Sequence, residues 1–197
     1  PFMRLTNKDL LQIKHFEAVG FEQSLVFSGV STDSRSTKQG DLFIPLRGES
    51  FDGHNFLTKA IDLGAVAILV EKRWSETNSA FLRTLNVPKL LVENCTLSLG
   101  ELALFYRRQF KLPILAIAGS NGKTTTKDMI SSVLSSTIQV LSTEGNLNNQ
   151  IGVPLTLFRL EKKHKAAVIE IGTNHPGEIV YLCKILEPTH GLITNIG

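Results

Sequence analysis

The segment Ile114-Leu115-Ala116-Ile117-Ala118-Gly119-Ser120-Asn121-Gly122-Lys123-Thr124 decides how the second half of the chain folds. Its first residues, 114–118, are all apolar and predict a buried strand. The residues after Gly122 have helical spacing and predict a helix from Lys123 to about Ser136. A buried strand that enters a glycine turn and continues as a helix is the context in which phosphate-binding loops occur.

The chemistry of this turn also suits a phosphate. Glycines at 119 and 122 allow the backbone to bend around an anion with its N–H groups pointing inward, and the helix start adds about half a positive charge. Lys123 can reach the β- and γ-phosphates of ATP, and the Thr124 hydroxyl can bind Mg²⁺. The eight-residue form of the motif has glycine at position 117, where this chain has Ile117. The prediction is a shortened ATP-binding loop with Lys123 as its catalytic residue, made of Gly119, Ser120, Asn121, Gly122, Lys123, Thr124 and Thr125; the alternative is a glycine-rich turn without a ligand.

Strands and helices alternate through the rest of the second half, which predicts an α/β fold with a parallel sheet. The helix after the loop is predicted to turn Met129, Ile130, Val133 and Leu134 towards the core. An amphipathic helix, 97–110, comes before the first strand, and later strands are predicted at 138–141, 166–171 and 191–195. The chain stops at Gly197, directly after a strand and with no helix to cover it, so we expect a fragment of a longer protein whose second domain is truncated.

The first half reads as a small α/β unit of its own, which predicts two domains, residues 1–93 and 94–197. A helix start near Leu5 can be capped by Thr6 or Asn7. The remaining elements are predicted from apolar spacing and glycine punctuation as helices at 54–63 and 75–85 and strands at 25–30, 41–46, 65–70 and 89–92.

Composition excludes several classes of protein. Of the 197 residues, 42% are apolar and 20% are charged, which is an ordinary globular composition. The net charge of +3 comes from scattered basic residues, so we predict no nucleic-acid partner. No apolar run is long enough to cross a bilayer. Cys95 and Cys183 are far apart in the sequence and are expected to be reduced, which is typical of a cytoplasmic protein. We predict that the protein is a cytoplasmic monomer.

Glu170 and His175 are candidates near a predicted strand end. A carboxylate inside an apolar strand is costly unless it is paired or bound to metal, so we predict that a nearby Mg²⁺ is bound by Glu170. The alternative is a carboxylate that pairs with a lysine or caps a loop. His175 can contact a phosphate or a metal, or it is simply a solvent-facing loop residue.

Two polar segments allow more than one interpretation. The amide-rich segment 145–152 can contact both donors and acceptors of a polar ligand, or it is only a turn-rich loop. In the segment 32–35, Arg35 can clamp a phosphate, or Asp33 and Arg35 merely order the loop.

Six motifs together resemble the Mur ligases of peptidoglycan synthesis, over nearly the whole chain. They are STDSR at 31–35, GDLFI at 40–44, DGHNF at 52–56, GSNGKTT at 119–125, GNLNNQIGVPL at 145–155 and EIGTNHPGEI at 170–179. The family has a shortened phosphate loop, which accounts for Ile117. The resemblance implies a three-domain enzyme whose first domain binds the UDP end of the substrate, whose second binds ATP and whose third brings the amine.

The resemblance also assigns residues. It implies that Thr32, Ser34, Arg47 and Gly48 lie in or near the UDP-sugar site and that Asn149 helps to hold the substrate. Arg35 and His175 complete the predicted substrate-binding set on the strength of their own chemistry. Thr124 and Glu170 match the family's magnesium ligands.

The implied reaction is an amide ligation driven by ATP and Mg²⁺. ATP would phosphorylate the terminal carboxylate of UDP-N-acetylmuramoyl-tripeptide, and the amine of D-alanyl-D-alanine would attack the acyl phosphate. The fragment itself is expected to be inactive. The alternatives are a sister ligase that adds a diamino acid to UDP-N-acetylmuramoyl-dipeptide, folylpolyglutamate synthase, and a nucleotide-binding module without catalysis. The amide-rich segment favours the first reaction.

Overall fold

The computed structural model of the chain describes residues 4–21, 24–173 and 175–196. Asn174, quoted above in one of the motifs, lies outside them. The chain divides into two compact units, one that ends at Leu99 and one that begins at Gly100. This division falls inside a helix, whereas the sequence places the domain boundary between residues 93 and 94.

The first unit is built around a mixed sheet of five strands. The strands of the unit are β1 Leu5–Thr6, β2 Glu17–Val19, β3 Val26–Phe27, β4 Gly29–Ser31, β5 Asp41–Phe43, β6 Ala67–Glu71 and β7 Lys89–Val92. Along the sheet the order is β2-β7-β6-β5-β4; β4 to β7 run parallel, and β2 pairs antiparallel with β7. A separate antiparallel pair joins β1 and β3.

Short helices cover this sheet and supply its core. Thr6 and Asp9 form a reciprocal capping box at the first helix, so of the two predicted caps the structure selects Thr6. Phe43, Leu57 and Ile68 are among the buried residues at the centre. The helices are α1 Asn7–Leu10, α2 Leu57–Asp62, α3 Lys72–Thr77 and α4 Ser79–Thr84, with a 3-10 turn at Gly53–Phe56 before α2.

The second unit contains a four-stranded sheet that is parallel throughout, as predicted. The strands are β8 Ile114–Ala118, β9 Val140–Ser142, β10 Ala166–Glu170 and β11 His190–Ile193, and the helices are α5 Cys95–Arg107, α6 Lys123–Ser135, α7 Gly152–Leu157 and α8 Glu178–Leu186. The strand order is β11-β8-β10-β9, and every residue of β10 is buried. The α/β fold class is therefore confirmed.

The predicted inner face of α6 is partly wrong. Met129 and Val133 are 66% and 71% exposed, and the one buried residue of the helix is Lys127. Ile130 and Leu134 are half-buried. Because residues three or seven positions apart share a helix face, 127, 130 and 134 lie towards the sheet and 129 and 133 on the opposite side. A buried lysine thus reversed part of an interpretation that rested on apolarity.

Helices α7 and α8 are absent from the sequence prediction. The segment that forms α7 begins with Gly152 and contains Pro154, residues that signal a loop. Proline is tolerated in the first turn of a helix, and the Asn149 side chain accepts hydrogen bonds from the N–H groups of Ile151 at 3.0 Å and Gly152 at 2.9 Å. Within the described residues, no helix is both long and apolar enough to span a bilayer.

Candidate active site

The loop between β8 and α6 has the backbone of an anion cradle. Gly119 and Gly122 have φ angles of +133° and +79°, which side-chain-bearing residues rarely adopt. A Cβ atom at Gly119 would also lie 2.1 Å from the Thr194 hydroxyl oxygen. Only glycine satisfies both constraints at position 119.

Gly119→Ala is therefore expected to damage the loop. Backbone strain alone costs about 1–3 kcal/mol, and the clash with Thr194 adds to it. Gly145→Ala is the control, because Gly145 has a φ of +53° but nothing within 4 Å of the added Cβ; it should cost only about 1–2 kcal/mol. Urea unfolding and ADP titration of both variants check this. Equal losses for the two would show that the Thr194 contact does not constrain the loop.

Residues that follow β11 hold the loop in place. Asn121 N–H donates to the Asn195 side-chain oxygen at 2.8 Å, and Ser120 N–H donates to the Asn195 carbonyl at 3.2 Å. The Thr194 hydroxyl donates to the Asn121 carbonyl at 2.5 Å. Sequence reasoning assigned Thr194 and Asn195 only to a strand, because partners more than seventy residues apart in the chain leave no local signal.

Lys123 folds back over the loop that precedes it. Its ammonium group donates to the Gly119 carbonyl at 2.7 Å and lies 3.5 Å from the Ser120 carbonyl. These contacts fix the cation directly above the loop, at the N-terminal end of α6. An ammonium group has three donors, so a phosphate oxygen can be bound from this position.

Thr124 and Glu170, the predicted magnesium ligands, are in contact. The Thr124 hydroxyl donates to one carboxylate oxygen of Glu170 at 2.9 Å, and the Asn148 amide donates to the other at 2.8 Å. Glu170 is only 3% exposed, and no ion pair with it is formed by the residues that the structure describes. The lysine-paired alternative for Glu170 is thus not what the structure shows.

This donor set fits Mg²⁺ rather than a transition metal. One hydroxyl and one carboxylate leave the remaining positions to phosphate and water oxygens, which is how Mg²⁺ is commonly held beside nucleotides. Among the described residues, no group of three or more His, Cys, Asp or Glu side chains could hold a metal alone. Asn148 was not singled out from the sequence, although it belongs to the amide-rich segment that was.

Lys127 helps to fix the position of Glu170 through Thr143. Its buried ammonium group donates to the Thr143 carbonyl at 2.9 Å and lies 2.9 Å from an Asp128 carboxylate oxygen. The Thr143 hydroxyl in turn accepts the backbone N–H of Glu170 at 2.9 Å. Thr143 begins the loop that carries Asn148, so these contacts fix both the carboxylate and its amide partner.

Asn149 and His175, predicted from the sequence to bind substrate, line one cleft. The cleft has a volume of about 450 Å³. The oxygen of the Asn149 side chain accepts the N–H groups of Ile151 and Gly152, as described above, which leaves its amide nitrogen for a ligand. The other lining residues are Gln150, Ile151, Pro176, Gly177, Glu178 and Tyr181.

In the first unit, Arg35 is paired with Asp33 two residues earlier. Their side chains approach to 2.6 Å, and this hydrogen bond lowers the pKa of Asp33 to about 2. The Arg35 side chain is 79% exposed. The geometry matches the alternative in which Asp33 and Arg35 order the loop. Thr32, half-buried, and Ser34, buried, lie in the same loop after β4.

Arg47 and Gly48, also in the first unit, are the first two residues of a short loop, 47–52, whose ends are joined by hydrogen bonds. Arg47 contacts the carboxylates of Asp52 at 2.9 Å and Glu71 at 3.2 Å, and Gly48 N–H donates to the Phe51 carbonyl at 3.0 Å. The Asp52 carboxylate also lies 2.6 Å from the ring of His54. Asp52 and His54 were quoted as a motif without a role, and Glu71 was not singled out from the sequence.

His54 makes the stability of the chain depend on pH. Burial lowers the pKa of His54 below its ordinary value of 6.5, although Asp52 opposes the shift. The unfolded chain therefore binds a proton below about pH 6.5 that the folded chain refuses, so stability is full above that pH and falls below it. His164, whose pKa burial also lowers, contributes in the same direction.

We expect the urea concentration at the unfolding midpoint to decrease when the pH is lowered from about 7 to about 5.5. The decrease should be smaller in His54→Gln. Trp74, the only tryptophan, stacks on His54 at 4.7 Å and reports unfolding of this unit. An equal fall in the variant and the parent chain would exclude His54 as the cause.

A parallel sheet, a glycine loop after its inner strand β8 and a hydroxyl–carboxylate pair beside that loop are typical of domains that bind nucleotide phosphates at a helix N-terminus. Two family models match the chain: "Mur ligase family, catalytic domain" over residues 26–107 and "Mur ligase middle domain" over residues 117–197. The chain belongs to the Mur ligase family, which confirms the resemblance found in the sequence.

Individual relatives agree. A UDP-N-acetylmuramoyl-tripeptide–D-alanyl-D-alanine ligase from Haemophilus influenzae is 40% identical over 198 residues, which is 98% of this chain and 41% of that protein. A crystal structure of MurF from Acinetobacter baumannii matches all of this chain and 42% of its own, with 37% identity and a TM-score of 0.88. The Thermotoga maritima MurF ligase, solved with ADP, matches 85% of this chain and 37% of its own, with 32% identity and a TM-score of 0.74.

Proposed function

We propose that the protein to which this chain belongs is an ATP-dependent amide ligase that joins D-alanyl-D-alanine to UDP-N-acetylmuramoyl-tripeptide. The chain spans about two fifths of the length of the relatives that it matches, so the reaction belongs to the longer protein. The observation that carries the proposal is the buried Glu170 carboxylate, hydrogen-bonded to Thr124 beside the glycine loop. The relatives' names supply the substrates.

The second unit would bind ATP. The N–H groups of residues 119–125 and the start of α6 would surround the phosphates, as the ADP complex of the Thermotoga maritima relative supports. Lys123 would donate to the transferred phosphate and neutralise charge as it moves. Thr124 and Glu170 would hold Mg²⁺, which when bound neutralises phosphate charge as a Lewis acid.

Residues 1–93 would bind the UDP end of the substrate through Thr32, Ser34, Arg35, Arg47 and Gly48. Asn149 and His175 would hold a part of the same substrate that lies nearer to the reacting carboxylate, in the cleft that both residues line. The terminal carboxylate of the tripeptide would accept the γ-phosphate of ATP, which releases ADP and forms an acyl phosphate. The amine of D-alanyl-D-alanine would then attack the acyl phosphate and displace the phosphate. Little covalent chemistry falls to the protein, so positioning and charge neutralisation supply most of the rate. Because ATP is the phosphoryl donor, we expect a cytoplasmic enzyme.

A substrate assay on the full-length protein tests the proposal. We expect phosphate release only when ATP, UDP-N-acetylmuramoyl-tripeptide and D-alanyl-D-alanine are all present, with one amide formed per phosphate. Amide formation from UDP-N-acetylmuramoyl-dipeptide and a diamino acid would instead identify the sister ligase. Binding of ADP without turnover of any acceptor would identify a nucleotide-binding module.

A further inference from the structure

A hydrogen-bonded network in the first unit is centred on the imidazole of His54, a group without a role in the proposed reaction. The side chain is fully buried. Its Nδ1 atom lies 2.6 Å from the Asp52 carboxylate, and its Nε2 atom accepts the backbone N–H of Glu71 at 3.1 Å. The ring also stacks on Trp74. Both ring nitrogens and one ring face are thus occupied.

These partners determine which nitrogen carries the proton. A backbone N–H can only donate, so Nε2 must be the acceptor and the Nδ1–H group must donate to Asp52. A second proton on Nε2 would face the Glu71 N–H directly. The network therefore exists in one tautomer and one orientation, and it holds Asp52 at a defined distance from the end of β6.

Asp52 and Glu71 both hold Arg47. The Arg47 Nε–H donates to Asp52 at 3.0 Å and its Nη1–H donates to Glu71 at 3.2 Å, while the other oxygen of Glu71 accepts the Cys95 N–H at 3.1 Å. The Arg47 Nη2 atom also lies 2.9 Å from the same Asp52 oxygen. A guanidinium has five donors, so these three contacts use only part of them. The Arg47 side chain remains 48% exposed and can contact a ligand.

The charges in this network show what it does not supply. Two carboxylates face one guanidinium while His54 is neutral, so the cluster carries about one net negative charge and cannot attract an anion over distance. Its contribution to binding is the fixed direction of the Arg47 donors. A rigid, planar fork is effective only when its orientation matches the acceptor.

We propose that His54 is a positioning residue for the sugar-nucleotide substrate: through Asp52 and Glu71 it sets the orientation of Arg47 and of the loop 47–52. The loop is short and closed, because Gly48 N–H donates to the Phe51 carbonyl and Gly53 N–H donates to the Leu46 carbonyl at 2.8 Å. This inference rests on the proposed function, since it takes the UDP-sugar as the ligand of Arg47.

Steady-state kinetics of the full-length enzyme test the inference. We expect His54→Asn to raise KM for UDP-N-acetylmuramoyl-tripeptide about tenfold, the order expected when a hydrogen bond to a charged group is lost. The kcat and the KM for ATP should change less than about twofold, because the substitution touches neither the phosphate loop nor the residues proposed to hold the reacting groups. His15→Asn is the matched control: His15 is exposed in the same unit, and its φ of +84° is one that asparagine tolerates.

A double-mutant cycle separates positioning from general damage. If His54 acts through Arg47, the His54→Asn and Arg47→Met double variant should have the same KM for the sugar nucleotide as Arg47→Met alone. Multiplying effects, or an equal rise in the KM for ATP, would overturn the inference. If His54→Asn does not fold, Asp52→Asn in the same cycle decides the question, since Asp52 is less buried.

The two proposals fail in distinguishable ways. A wild-type enzyme that forms no amide from these substrates contradicts the proposed function. A wild-type enzyme that forms the amide, with His54→Asn and Asp52→Asn leaving KM for the sugar nucleotide unchanged, contradicts only the positioning role.

Discussion

Lys123→Ala is expected to lower ATP-dependent phosphate release by the full-length enzyme at least about 100-fold, the order seen when one charge-stabilising donor is removed from an active site. In this chain the ammonium group is held over the glycine loop by the Gly119 carbonyl at 2.7 Å. Transfer of a phosphate to a carboxylate brings two anions together, so loss of the one lysine fixed at this point leaves their repulsion less compensated.

The measurement is the rate of phosphate release at saturating substrates, with ADP affinity measured in parallel. Lys162→Ala is the control, because Lys162 is an exposed lysine outside the site. Turnover within about threefold of the parent enzyme would contradict the assigned role of the loop. A loss of affinity without a loss of turnover would make Lys123 a binding residue and not a catalytic one.

Local sequence was sufficient to predict β8, the glycine turn after it and α6. A run of apolar residues, two glycines and a lysine–threonine pair lie within a single stretch of chain, and they specify a strand, a turn and a helix without help from distant residues. Glu170 could be predicted for a related reason: a carboxylate that ends an apolar strand needs an explanation that a surface carboxylate does not.

Long-range contacts were beyond the same reasoning. The loop is held by Thr194 and Asn195, and Glu170 is held by Asn148, all through partners that only the folded sheet brings near. Arg47 and Glu71 are likewise joined across a loop, a helix and a strand. Hydrophobic periodicity carries no information about such hydrogen bonds, because polar residues at these positions read as turns or strand ends.

The prediction of which residues of α6 face the sheet was partly wrong for a different reason. Apolar side chains were assumed to face the sheet, yet Lys127 occupies that side because its ammonium group finds the Thr143 carbonyl there. The buried, hydrogen-bonded ammonium group of Lys127 therefore places a different side of the helix against the sheet from the one that apolar spacing predicts. The same lysine helps to fix the Glu170 corner, so the error occurred at a position with a structural task in the site.

Glu170→Gln is expected to raise the Mg²⁺ concentration needed for half-maximal activity and to lower turnover at least about tenfold, because a neutral amide is a poor ligand for a hard cation. The hydrogen bonds need not be lost. The glutamine oxygen can accept from Asn148, and the Thr124 hydroxyl can reverse its direction and accept from the new amide group.

This substitution separates a carboxylate kept for a cation from one kept for the fold. Glu170 is buried without an ion-pair partner among the described residues, so it costs stability unless a cation binds. We therefore expect Glu170→Gln to leave the metal-free, nucleotide-free protein at least as stable as its parent while activity falls. Glu144→Gln, at a side chain that is 68% exposed and paired with Arg159, should change neither property. A clear loss of stability together with an unchanged Mg²⁺ requirement would show that Glu170 serves the fold, and the magnesium assignment would be wrong.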